Sequence, residues 1–140
     1  MNTSVRAGLV VASAAVMALA SMGTASANHD HGDGTPSCFG GEICFAEHYD
    51  GGGGARHFYE SWFYHEEQGD FYPTGTTFWH NASSIRNRDT SSPVCVKESG
   101  DWTNDTWWFS NDSIWKNFHV DLNDENNSHW RIDEYGGCWT

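Results

Sequence analysis

His65-Glu66-Glu67-Gln68-Gly69 opens like the helix of a zinc protease, a histidine followed by a glutamate. Position 69 is glycine, so the second histidine one helical turn on is missing and the two-histidine metal pair cannot form. No Cys-x-x-Cys occurs to build a zinc ribbon, and no Gly-x-Ser-x-Gly elbow presents a serine nucleophile. Gly51 to Gly54 lacks the spacing and the lysine of a phosphate loop and reads as a long hairpin loop. Glu47 with Asp50, or Asp101 with Asp105, could serve a glycosidase, which needs two carboxyls at a set separation across a cleft. With 19 acidic residues in 140, chance pairs are expected, and a non-catalytic protein follows.

The elements that must carry these residues are β-strands. Ile43-Cys44-Phe45-Ala46, Arg56 to Tyr64, Val94-Cys95-Val96, Thr106 to Phe109 and His129 to Ile132 are short, aromatic or β-branched runs. Turn signals separate them at Gly69-Asp70, Pro73 to Gly75, Ser99-Gly100-Asp101 and Gly136-Gly137. No apolar period of 3.6 residues persists long enough for a helix. All eight Trp, five Tyr and eight Phe lie after position 38. In Trp107-Trp108 and Trp62-Phe63-Tyr64, neighbouring rings point to opposite faces of a strand. One ring of each pair can fill a core while the other is exposed, available to protein or sugar, or covered by loops.

The N-terminus reads as a processing signal. From Ala7 to Met22 the chain is small and apolar, Arg6 is the only charge before Asp30, and Ala25-x-Ala27 is a cleavage pattern. Residues 1–27 are therefore expected to be a secretory signal peptide, 28–37 a flexible polar leader containing His29 and His31, and 38–140 the folded domain, secreted and extracellular. Seven basic against 19 acidic residues give a formal charge of −12, which argues against nucleic acid and anionic membrane surfaces as partners. A monomer is expected. Cys38, Cys44, Cys95 and Cys138 are an even set, read as two disulfides with three possible connectivities. Cys38 with Cys44 is the preferred pair because they flank a short turn before the first strand, leaving Cys95 with Cys138.

An internal repeat is visible. Glu42-Ile43-Cys44-Phe45-Ala46 opens one half and Ser92-Pro93-Val94-Cys95-Val96 the other, and an aromatic, Tyr49 or Trp102, follows each. Each half closes on a polar loop running into a strand, His80 to Asn87 and Asn123 to Arg131. Two units of similar length suggest an all-β sandwich made by duplicating one four-stranded unit.

On Cys38-x5-Cys44, the Tyr49-Asp50-Gly51-Gly52 corner and Ala82-Ser83-Ser84-Ile85-Arg86-Asn87, the chain resembles the β/γ-crystallin superfamily. Within it, it is most similar to the secreted Streptomyces-type metalloproteinase inhibitors. The resemblance implies a crystallin-like Greek-key β-sandwich. It implies Ca²⁺ ligands as well, matching the superfamily signature Asn/Asp-Asn/Asp-x-x-Ser/Thr-Ser: Asn123, Asp124, Glu125 by its carbonyl, Asn127 and Ser128, with Ser83 and Ser84 from the first loop. Asn127 departs from the hydroxyl of the pattern, and Trp79 and His80 stand where the first loop should carry Asn or Asp. At most one Ca²⁺ is therefore implied.

The resemblance further implies an inhibitor whose rigid loop enters the cleft of a secreted protease. Asp50–Ala55, rich in glycine, reads as too flexible for that task. His65–Gly75 is the better loop, with Phe71, Tyr72 and Pro73 as an apolar anchor between acidic flanks. The alternative is a non-catalytic extracellular module, Ca²⁺-stabilised or not, binding protein or polysaccharide through exposed aromatics.

Overall fold

The computed structural model describes residues 37–98 and 105–139. The expected signal peptide, nearly all of the expected leader, the expected turn at Ser99-Gly100-Asp101 and Trp102 lie outside the described residues. The chain is nearly all β: β1 (Ile43–Ala46), β2 (Ala55–Phe58), β3 (Ser84–Asn87), β4 (Val94–Glu98), β5 (Thr106–Phe109), β6 (Trp115–Asn117) and β7 (Asn126–Arg131), closed by one short helix, α1 (Ile132–Tyr135). Two antiparallel sheets form, in the orders β2-β1-β3-β6 and β5-β4-β7.

Alternation explains both sheets. Ile43 and Phe45 on β1, and Val94 and Val96 on β4, enter one buried cluster with Phe58, Ile85, Phe109 and Phe118. Cys44 and Cys95 fall between them and point to the outer faces. There they form the Cys38–Cys44 and Cys95–Cys138 disulfides, the pairing favoured from spacing. Two disulfides, and no helix among the described residues long and apolar enough to cross a membrane, are compatible with an extracellular protein.

Several expectations need correction. The strand expected from Arg56 to Tyr64 ends at Phe58. Beyond it the chain leaves the first sheet, and Trp62 exchanges both backbone hydrogen bonds with His129 of β7, at 2.8 and 2.7 Å. The second sheet thus has three strands plus this isolated bridge, not four strands. The polar loop from His80 does run into a strand as expected, and that strand, Ser84–Asn87, is paired on both sides. The glycine-rich connection between β1 and β2 is not loose. Glu47 N–H and His48 N–H donate to Gly54 O and Gly52 O at 2.9 Å each. Gly51, at φ +79°, packs so closely on Trp115 that a Cβ would overlap the indole.

Candidate functional site

The residues expected to hold Ca²⁺ divide. Ser83 and Asp124 meet, their Oγ and Oδ1 3.2 Å apart, and Asn123 Nδ2 donates to Asp124 Oδ2 at 2.8 Å. Asn123 Oδ1 is buried without a hydrogen-bond partner. Ser84 is committed elsewhere: its hydroxyl donates to His48 O at 2.7 Å and accepts from Gly51 N–H at 3.1 Å. Asn127 and Ser128 belong to β7, and Ser128 is registered against Lys97 on β4. Glu125 is exposed, its carboxylate 3.9 Å from His80 Nδ1. Two side-chain oxygens, on Ser83 and Asp124, therefore meet with the Asn123 amide beside them, short of the six to eight oxygens that Ca²⁺ takes. Elsewhere Cys38, Glu42 and Cys44 place ligand atoms within 4.8 Å of one another, but both sulfurs are spent on the disulfide.

The loop expected as an inhibitory anchor is built differently from its reading. Phe71 is 1% exposed and packs edge-on against Phe78 at 5.4 Å, so it is a root of the loop and not a surface contact. His65, at the other end of the expected loop, is wholly buried. Tyr72, Pro73, Thr74 and Gly75 remain exposed. Below this tip, Tyr72 and Ala55 exchange backbone hydrogen bonds at 3.0 and 2.7 Å. Phe71 N–H donates to Thr76 O at 2.7 Å, and Gly75 N–H to Phe71 O at 2.9 Å. Thr76 Oγ1 donates to Glu47 Oε1 at 2.7 Å. The hydrogen bonds from Gly54 N–H and Thr76 hold the Glu47 carboxyl below the usual carboxylate range.

Behind the loop lies a buried polar chain that sequence spacing did not reveal. Asn126 Oδ1 accepts from Ala82 N–H at 2.9 Å, and Asn126 Nδ2 reaches Phe78 O at 3.2 Å and His65 Nδ1 at 3.0 Å. His65 Nε2 lies 2.7 Å from His129 Nδ1, and His129 Nε2 lies 3.1 Å from Glu60 O. A carbonyl only accepts, so His129 carries its proton on Nε2 and accepts on Nδ1. His65 then donates from Nε2 and accepts on Nδ1 from the Asn126 amide. Every link closes with both rings neutral. Burial drives the His129 pKa down to about 3, and burial with the nearby His129 pushes His65 well below its ordinary value.

A cleft of about 360 Å³ opens on the outer face of the three-stranded sheet. Phe63, Tyr64, Trp130 and Trp139 form its aromatic side, and Lys97, Asn127 and Ser128 its polar side. Trp130 and Trp139 stack at 5.1 Å and 18°, and Phe63 lies nearly parallel to Trp139 at 6.5 Å and 7°. The Cys95–Cys138 bond carries the C-terminal strap over the sheet. There Trp130 Nε1 donates to Gly137 O at 2.8 Å and Thr106 Oγ1 to Trp139 O at 2.7 Å. The adjacent aromatics of the sequence hinted at such a face. The part played by Trp139 depends on how the Cys95–Cys138 disulfide lays the C-terminal strap on the sheet, which the cysteine pairing alone does not specify.

No protein-family model matches the chain, and no curated protein or solved structure is significantly similar to it.

Proposed function

We propose that the chain is a secreted, non-catalytic protease inhibitor that presents the tip Tyr72–Gly75 from a crystallin-like Greek-key scaffold. Several correspondences support the scaffold. β1, β2 and β3 run 2-1-3 in their sheet, and β4, β5 and β7 repeat that pattern as 5-4-7. β6 crosses from the second half onto β3, and Trp62 of the first half reaches β7. Ser84 stands opposite Ala46 as Ser128 stands opposite Lys97. His80 and Asp124, equivalent in the two halves, both adopt left-handed backbone, at φ 57° and 58°.

The observation that carries the inhibitor reading is the loop's construction. Its tip is exposed while Phe71 and the Ala55–Tyr72 bridge fix its root. Such a segment loses little conformational freedom on entering a cleft, which lowers the cost of binding. Tyr72, 37% exposed, gives the contact a partly buried aromatic.

Titrating a secreted metalloproteinase with the mature protein tests this. Stoichiometric inhibition is expected, lost on Tyr72→Ala without a change in melting temperature. An unaffected panel of thermolysin-like and subtilisin-like proteases at micromolar protein would refute it. The same reading carries at most one Ca²⁺, on Asp124 with Asn123 and Ser83. Identical melting in Ca²⁺ and in EDTA would remove the ion from the reading.

A further inference from the structure

The register of the second sheet sorts its outer face into two rows. Cys95 stands opposite Trp108 on one side and Trp130 on the other. Two residues along, Lys97 stands opposite Thr106 and Ser128. Paired residues of antiparallel strands share a face, so an aromatic row, Trp108 and Trp130, runs beside a polar row, Thr106, Lys97 and Ser128. The rows are roughly 7 Å apart, twice the rise per residue. The cleft lies where they meet under Trp139, with Trp130 1% exposed as its floor, while Tyr64 and Trp139 are 62% and 48% exposed.

The polar side is not spent on the protein. Among the described residues the side chains of Lys97, Asn127 and Ser128 make no hydrogen bond, and the Lys97 ammonium meets no carboxylate. Ser128 is 3% exposed yet lines the cleft. An ammonium, an amide and a hydroxyl thus stand beside stacked aromatic rings already fixed by a disulfide and two hydrogen bonds.

We infer that this cleft binds pyranose rings of a neutral polysaccharide. A pyranose presents C–H groups on its faces, which stack on aromatic rings, and hydroxyls at its edges, which need donors and acceptors. The two rows supply these side by side. At about 360 Å³ the cleft is at the small end of ligand-sized sites, suited to a short stretch of chain. Charge selects within the class. The protein carries a formal −12, and its field repels a polyanionic glycan, whereas a neutral one pays no such penalty. The inference does not rest on the loop reading, since Tyr72 is not among the residues of the cleft.

Titration of the whole secreted chain with cellohexaose, N-acetylglucosamine hexamer and polygalacturonate, read by tryptophan fluorescence and calorimetry, tests it. One of the two neutral hexamers is expected to bind. Tyr64→Ala and Lys97→Ala should each weaken binding by about tenfold or more, the scale of losing a central contact, at unchanged melting temperature. Tyr72→Ala should leave binding intact. Failure of both neutral hexamers to bind at millimolar concentration overturns the inference. So does binding that survives both Tyr64→Ala and Lys97→Ala, or polygalacturonate binding more tightly than either neutral chain.

Discussion

Acid should unfold this protein through two histidines before it does so through its carboxylates. In the folded state His65 and His129 are neutral, each donating one hydrogen bond and accepting another. Unfolded, both take up a proton near pH 6.5. A base whose folded pKa is lowered is bound by fewer protons in the native state, so stability falls as pH drops from about 6.5 towards the folded value. For His129 that value is about 3. Each pH unit within the window costs about 1.4 kcal/mol per histidine, so by pH 4.5 His129 alone removes on the order of 3 kcal/mol. His65 adds in the same direction, and so does His80, whose pKa is also lowered by burial. The charges nearest the pair do not counter this: Arg131 disfavours a proton on His129, and His80 disfavours one on His65. Domain stabilities are typically about 5–15 kcal/mol, so the loss is a large fraction of the whole. The carboxylates of Glu47 and Asp89, held low in the native state, weaken the fold only below about pH 4. Urea unfolding at half-unit steps from pH 7 to pH 4.5 measures the slope. Gln can accept and donate as each ring does, so His129→Gln and His65→Gln should each flatten the slope by about one proton. If His129→Gln melts with the wild-type slope, the neutral relay is wrong.

Three further outcomes follow from the packing. Phe71→Ala should cost about 3–5 kcal/mol in chemical unfolding, because a buried ring is lost, while Tyr72→Ala should stay within about 0.5 kcal/mol; near-equal effects would place Phe71 outside the core. Gly51→Ala should lower the melting temperature by several degrees, since Trp115 occupies the space and the backbone is left-handed; an unchanged melt would show that the connection can relax. Replacing Cys95 and Cys138 by Ser should destabilise more than replacing Cys38 and Cys44, by about 2 kcal/mol on chain-entropy grounds, because the closed segments are 43 and 6 residues long; equal losses in urea would contradict that account.

What could be read in the sequence was what local alternation encodes. Ile43, Phe45, Val94 and Val96 point inward and their neighbouring cysteines outward because the side-chain period of a strand is two. β3 was legible only as the strand into which the His80–Asn87 loop runs, without its bounds, because its polar residues are satisfied by tertiary bonds: Ser84 by His48 O and Gly51 N–H, Asn87 by Ser92 O. Phe71 looked like a surface anchor because acidic and turn residues flank it. Its burial depends on Phe78, brought over it when Asp70 pairs with Thr77. His65 drew attention as half of a broken zinc motif. Its real partners, Asn126 and His129, lie 61 and 64 residues away, and no spacing rule spans that distance.

β7 shows why the two kinds of information could not be separated in the sequence. Asn126, Asn127 and Ser128 look like one polar loop, and the calcium signature treats them so. In the fold the pairing shifts between Lys97 and Glu98, so that Glu98 faces Asn126 while Lys97 faces Ser128. The extra residue, Asn127, changes the phase of the strand. Without it, residues 126 and 129 would point to opposite faces. With it, Asn126 and His129 both reach His65 in the interior, while Ser128 and Trp130 line the outer cleft. One inserted residue therefore closes the buried relay on one face of the sheet and leaves hydroxyl and indole side by side on the other. The stability of the interior and the shape of the cleft are set by the same irregularity.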